Sequence, residues 1–365
     1  MSRILLSPSQ YVQGKGELSR LAQYILPLGQ KPFVLISASG QKRFGASIER
    51  SLNGAVTFEI FQGECCQTEI DRVTAQFIQS GCDVLVGVGG GKIFDTVKCV
   101  SIQTEAPVAI VPTVASTDAP CSAVAVIYTP DGVPEKAAHM KRNPDVVIVD
   151  SAVIAKAPAR LLVAGMGDAL ATFFEARACQ RSNGDNSARA KTTLAATALA
   201  QLCYETLLAD GLRAKVAVEK QVCTTAVENI IEANTYLSGI GFESGGLAAA
   251  HPIHDGLSAL PETHAMYHGE KVAFGTLAQL VLENAPVEEM EEVVHFCRSV
   301  GLPTTLCELG LHHPAQEQIL KAAEIAASQR CMGNLPFKAT AEMIADAIWA
   351  ADAIGTYYGG DGCCC

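Results

Sequence analysis

Basic residues are in deficit: 27 lysines and arginines against 38 aspartates and glutamates give a formal net charge of −11. No lysine- or arginine-rich block offsets that balance, which argues against a role on nucleic acid or on an anionic membrane surface. Long apolar runs are missing as well. No uncharged stretch approaches the roughly 18 residues of a membrane span. The segment from Met1 to Gln10 carries Ser7 and Pro8 where a secretory leader needs unbroken apolar residues. There is no CxxC pair among the 14 cysteines, which excludes zinc-ribbon and thioredoxin-type sites. Apart from Cys65-Cys66 and the terminal Cys363-Cys364-Cys365, the cysteines are scattered singly. A chain this long gains little from a disulfide framework, so a reduced, cytoplasmic protein is expected, with the terminal triplet a frayed tail.

What is present is ample apolar material: 49% of the 365 residues are hydrophobic and 18% charged, enough for an ordinary core and a length suited to two domains. The first half alternates short β-branched runs with helical patterns. Lys31 to Ser37, Asp83 to Val88, Pro107 to Pro112 and Asp145 to Asp150 are near-continuous apolar strands, the signature of a parallel sheet covered on both faces. Helical period lies between them over Glu69 to Ser80 and Gly91 to Ser101. After about residue 160 the strand-like runs stop. Alanine-rich helical stretches take over at Leu162–Cys179, Ala188–Leu208, Ala214–Leu237, Glu270–Glu283 and Ala341–Ala353. The expectation is an α/β domain over 1–160 and an all-helical domain over 161–365, with a site in the cleft between them.

Two polar clusters sit where the strands end. Val86-Gly87-Val88-Gly89-Gly90-Gly91-Lys92 closes a strand and opens a helix, where free N–H groups and the helix dipole favour a phosphate. The motif departs from the usual dinucleotide fingerprint at Lys92 and from a Walker A loop at Ile93. The bland alternative is a tight turn with close helix–strand packing. Asp95 is read as lying in the first turn of that helix, either stabilised there by the dipole or touching a cofactor. The second cluster, Thr113 to Ser122, bunches hydroxyls around Asp118 at the carboxyl end of the next strand. Its own bland reading is a capped turn before Pro120.

The helical half concentrates histidine: five of eight fall between His251 and His295. His251 and His254 are three apart on one helix face, His264 and His268 four apart. Upstream, Asp168 stands alone in the apolar stretch Gly167-Asp168-Ala169-Leu170-Ala171-Thr172. Spacing alone makes a metal site a candidate and leaves ordinary core histidines as the alternative.

Taken together, these motifs resemble the glycerol dehydrogenases of the iron-containing (group III) alcohol dehydrogenase family over nearly the whole chain. The matching stretches are Gly89-Gly90-Gly91-Lys92 with Asp95-Thr96, Ser116 to Ser122, Gly167 to Thr172, Gly241 to His251, and His268-Gly269-Glu270-Lys271-Val272. The resemblance implies a Rossmann-like parallel-sheet domain followed by an all-α domain, the two-domain plan shared with dehydroquinate synthase. It implies metal ligands at Asp168, His251 and His268, with His251 also beside the substrate. Gly91, Lys92, Asp95, Thr113, Ser116, Ser122, Val124 and Tyr128 would line the dinucleotide. Asp118 would meet substrate hydroxyls, and His254 would sit near substrate and nicotinamide as a proton relay. It further implies a small polyol substrate and homo-oligomers, dimers assembling to an octamer.

Iron-binding members, as the resemblance has it, carry a further histidine one turn after the acid ligand, and Thr172 occupies that position here. Asp with two His is the three-ligand set of catalytic zinc, so Zn²⁺ is favoured, although the same set suits Fe²⁺. The implied chemistry is NAD-dependent oxidation of glycerol to dihydroxyacetone, and of vicinal diols such as 1,2-propanediol to hydroxyketones. Alternatives within the family are another alcohol, an aldehyde or a keto acid, the last disfavoured by the charge of Asp118. A sugar-phosphate cyclase would need many basic residues in the metal domain, and few are there. Two departures stand out. The stretch from Ala327 to Asn334 lacks the acidic and histidine character of the family. Ser37 replaces the aspartate that would accept from the adenosine ribose, which predicts tolerance of NADP beside NAD.

Overall fold

The computed structural model describes residues 2–130, 132 and 134–359, so the terminal cysteine triplet lies outside the described residues. Six parallel strands form one sheet in the order β1-β8-β5-β4-β2-β3. They are β1 (Tyr11–Gly14), β2 (Pro32–Ile36), β3 (Thr57–Ile60), β4 (Val84–Gly89), β5 (Val108–Pro112) and β8 (Val146–Asp150). A separate antiparallel hairpin, β6 (Val124–Tyr128) with β7 (Pro134–His139), interrupts the path from β5 to β8.

The unbroken apolar character of the central strands follows from burial on both faces. Along β2, Phe33 and Leu35 enter one apolar cluster while Val34 and Ile36 enter another on the opposite face. β4 and β5 alternate in the same way. The chain leaves β2 for the edge strand β3 and returns to lay β4 on the other side of β2. That reversal opens a crevice at the carboxyl ends of β2 and β4. Ser37 directly follows β2, and Gly89 ends β4.

Among the described residues no strand follows Asp150. The rest is helical, led by Ala159–Arg181, Leu194–Glu219, Ser238–Gly245, Ala250–Ser258 and His268–Leu282. The larger apolar cluster continues from Phe33 and Leu85 through Phe174 to Phe274 and Ile348, so sheet and helices share one core. No helix of the described residues is long and apolar enough to cross a membrane.

Several elements differ from the sequence reading. β1, β3 and the hairpin were not expected, because they are partly or largely exposed and lack a continuous apolar run. The stretches placed at Ala188–Leu208 and Ala214–Leu237 are instead one 26-residue helix, Leu194–Glu219, then Thr225–Glu232 and a π-helical turn, Ala233–Leu237. Gly211 does not break the long helix, because a Cβ there would lie 2.7 Å from the Phe296 ring: it is a packing contact, not a turn. The helices Val287–Val300 and Gln316–Ser328 add to those expected from the sequence.

Candidate functional site

Backbone contact between two helices assembles the centre. Gly167 in the Ala159–Arg181 helix and Gly269 in the His268–Leu282 helix sit at their crossing. A Cβ on Gly269 would lie 1.8 Å from the carbonyl oxygen of Ala164, and one on Gly167 would lie 2.2 Å from that of Gly269. Only glycine allows this approach, and each glycine is the immediate neighbour of Asp168 or His268. His251 comes from a third helix, Ala250–Ser258, where Pro252 is tolerated because it falls in the first turn.

Asp168, His251 and His268 each offer one ligand atom, and these atoms lie within 4.8 Å of one another. Oδ1 of Asp168 is 3.0 Å from Nε2 of His268 and 3.4 Å from Nε2 of His251. It is nevertheless a buried oxygen without a hydrogen bond. A buried acceptor left unsatisfied between two imidazole nitrogens fits a cation better than any protein donor. Burial opposes ionisation of Asp168, but the facing histidines outweigh it and hold the carboxyl well below its ordinary range. His251 is desolvated, yet Glu175 and Asp168 raise its pKa.

Asp118 belongs to the same network. Its N–H donates to Oδ2 of Asp168 at 3.1 Å, and its own Oδ2 accepts from Ser238 Oγ at 2.8 Å. The Ser238 hydroxyl is in turn 2.8 Å from Thr172 Oγ1. Asp118 is therefore no local turn cap. Burial and the charge of Asp168 raise its pKa well above the ordinary carboxyl value. His254 is buried, with Nε2 3.0 Å from His268 Nδ1 and 3.2 Å from Ser258 Oγ, and Nδ1 3.1 Å from Asp255. Burial and His268 push it down to about 3, so the ring is neutral at neutral pH.

The glycine turn adjoins the loop that carries Asp118. Gly89 has φ 153°, and a Cβ there would meet Ile93 at 2.6 Å, so close packing explains that glycine. Gly91 begins the Gly91–Thr104 helix, and a Cβ there would make ordinary contact with Thr117 Oγ1 at 3.6 Å. Lys92 pairs with Glu64 at 2.5 Å and stands 5.8 Å over the ring of Tyr128. The placement of Asp95 in the first turn needs correction. The helix starts at Gly91, which puts Asp95 in the second turn, where burial raises its pKa to about 6 against the pull of Lys98. Thr113 is buried and its N–H donates to Gly89 O; Ser116 is half-buried. Lys98, fully buried, donates to the carbonyls of Ala119 and Val124 at 2.6 and 2.8 Å and approaches Ser122 Oγ at 3.4 Å. Ser37 caps the Ala38–Ser51 helix, its Oγ accepting from Gly40 N at 3.0 Å.

Glu175, Lys98, Ser238, Glu243, Asn143 and Asp255 belong to this network without being among the residues the sequence singles out. Glu175 carried a signal, since Asp168, Thr172 and Glu175 at i, i+4 and i+7 share one face of an apolar helix. Glu243 and Asn143 pin the loop after Asp118 through Ala123 N and Cys121 O. Nothing in their local sequence marks them.

A family model described as iron-containing alcohol dehydrogenase matches residues 8–151. A glycerol dehydrogenase of Escherichia coli O6:H1 is 49% identical over 359 residues, covering 97% of this chain and 98% of that protein. A glycolaldehyde reductase of Halobacterium salinarum is 42% identical over 359 residues, with 97% and 98% coverage. The crystal structure of a probable glycerol dehydrogenase from Sinorhizobium meliloti 1021 superposes with a TM-score of 0.93 at 49% identity, covering 97% and 99% of the two chains. With these relatives matched over nearly their whole length, the chain belongs to the iron-containing alcohol dehydrogenase family.

Proposed function

We propose that the chain is an NAD-dependent glycerol dehydrogenase that oxidises the secondary hydroxyl of glycerol to dihydroxyacetone. The observation that carries this reading is the unsatisfied Asp168 oxygen between two histidine nitrogens, with the Asp118 carboxyl bonded into the same network. Relatives 49% identical over nearly the whole chain and named glycerol dehydrogenase support it.

Asp168, His251 and His268 would hold one divalent ion, and zinc is our assignment from the three-ligand set and from Thr172 in place of a further histidine. When bound, such an ion supplies Lewis acidity to the reacting hydroxyl, and the nicotinamide supplies the hydride acceptor. The remaining work falls to the chain. Ser238 occupies Oδ2 of Asp118, which leaves Oδ1 to receive a second hydroxyl of the substrate. A buried acceptor of this kind penalises a substrate that lacks the hydroxyl, so vicinal diols are favoured over simple alcohols. The neutral ring of His254 takes a proton on one nitrogen as it releases one from the other to Asp255, whose side chain reaches the surface at 38% exposure.

Gly91, Lys92, Asp95, Thr113, Ser116, Ser122, Val124 and Tyr128 are our assignment for the dinucleotide: the first five follow the carboxyl ends of β4 and β5, Lys92 stands over the hairpin's Tyr128, and Lys98 of the same helix reaches Ser122 and Val124. Ser37 at the end of β2 is assigned to the adenosine ribose. Reduction of an aldehyde is the second reading, favoured by the glycolaldehyde reductase relative. Steady-state rates with glycerol and NAD against glycolaldehyde and NADH separate the two. A higher kcat/KM for glycerol supports the first reading; the reverse supports the second.

A further inference from the structure

We propose that Glu175 is a positioning residue for the metal: it holds His251 in the one tautomer and orientation that presents Nε2 to the ion. The inference rests on the metal reading above and names a residue outside the ligand set.

Glu175 is fully buried on the helix that carries Asp168, two turns further along. Its Oε2 is 2.5 Å from Nδ1 of His251. Its Oε1 accepts from the backbone N–H of His251 at 3.1 Å and from that of Ala248 at 2.9 Å. One carboxylate thus grips both the ring and the main chain of the same histidine. A carboxylate can only accept, so Nδ1 carries the hydrogen, which leaves Nε2, facing Asp168, as the nitrogen whose lone pair an ion would take. The neighbouring N–H groups of Ala249 and Ala250 are satisfied by Gln279. The start of this helix is therefore anchored from two sides, and only the Glu175 side reaches the ring.

Charge points the same way. Asp168 and Glu175 are both buried, and their two carboxylates would balance a divalent cation. Outer carboxylates on metal-bound histidines raise ligand basicity and fix ring orientation, and their loss lowers metal affinity by roughly 10–100-fold. His268 is held differently: its Nδ1 lies 3.0 Å from Nε2 of His254. The two histidine ligands therefore have unlike outer partners, and removing Glu175 should affect only one of them.

The test is zinc affinity of the full chain, measured after chelator stripping by competition with a chromophoric chelator. Glu175→Ala is expected to bind zinc roughly 10–100-fold more weakly. Glu175→Gln, whose amide oxygen can still accept from Nδ1–H but whose NH2 then faces the two backbone N–H donors, is expected to recover only part of that loss. Circular dichroism of each stripped variant reports folding separately. Glu175→Ala that folds and binds zinc as tightly as the natural chain overturns the proposal and leaves Glu175 a helix anchor. Asp168→Asn distinguishes this from failure of the metal reading: if it too binds zinc normally, the ion lies elsewhere. If Glu175→Ala does not fold, ¹⁵N-histidine NMR of the natural chain decides. Hydrogen on Nδ1 of His251 supports the proposal, and an Nδ1 without hydrogen overturns it.

Discussion

The main-chain N–H of Asp118 donates a 3.1 Å hydrogen bond to Oδ2 of Asp168, tying the loop after β5 to the helix that carries the candidate metal ligand. One oxygen of Asp168 is thereby fixed from the sheet side, and the other is left facing His251 and His268. A residue assigned to the substrate thus orients a residue assigned to the metal.

The side chain of Asp118 is separable from that role, since the backbone bond survives truncation. Asp118→Ala should cost about 1–3 kcal/mol on substrates with a second hydroxyl, roughly ten- to a hundredfold in kcat/KM. Rates for glycerol, 1,2-propanediol and 2-propanol check this. The two diols should fall and 2-propanol should change little; an equal drop for all three would leave Asp118 a purely structural acid.

Gly269→Ala tests the helix crossing. The new methyl would sit 1.8 Å from the Ala164 carbonyl, so the helices must part and carry His268 away from Asp168. Overpacking against backbone should cost about 3 kcal/mol or more. Thermal unfolding of the metal-free protein should show that loss, and zinc affinity should fall with it. A variant with unchanged midpoint and affinity would show that the crossing yields without cost.

Asp95 carries a pH signature. Its folded pKa of about 6 lies above the ordinary 3.8, with burial as the main cause, so the folded state holds the proton more tightly than the unfolded chain. Its contribution to stability is therefore greatest below about pH 4 and is lost as pH rises through 6. Asp95→Asn, permanently neutral, should match the natural chain near pH 4 and exceed it by about 1–3 kcal/mol at pH 7. It should also weaken dinucleotide binding. Denaturant unfolding at several pH values measures the first effect, and identical pH profiles for the two proteins would contradict it.

Ser37→Asp addresses cofactor choice. Aspartate caps a helix as well as serine does, so the Ala38–Ser51 helix should be unaffected. A carboxylate there accepts from the ribose and repels a 2′-phosphate. The natural chain should discriminate weakly between NAD and NADP, and Ser37→Asp should raise the NAD preference at least about tenfold, from 1.5–3 kcal/mol for a charged hydrogen bond. The ratio of kcat/KM for the two cofactors decides. A strong NAD preference unchanged by the substitution would place selection elsewhere.

The parts legible in the sequence are those whose physics is local. β2, β4, β5 and β8 announce themselves because burial on both faces demands unbroken apolar runs. Asp168 is conspicuous as a lone acid in an apolar helix, and His251 and His268 by clustering. The partly exposed strands β1 and β3 carry no such pattern, and the ends of the 26-residue helix are hidden in alanine. Glu175, Lys98 and Glu243 were missed for a different reason. Each is a charge whose burial depends on partners up to 120 positions away, as between Ala123 and Glu243. The glycines beside Asp168 and His268 were visible as motif, but the need for them lies in a helix crossing that no single segment encodes.

The central claim is that Asp168, His251 and His268 form a metal centre required for glycerol oxidation. The most direct measurement is NAD reduction with glycerol by protein stripped with a chelator, then titrated with zinc, beside Asp168→Asn treated alike. The account predicts negligible turnover after stripping, recovery saturating near one zinc per chain by the three-ligand logic, and no recovery in the variant. Full activity in a demonstrably metal-free sample would contradict it.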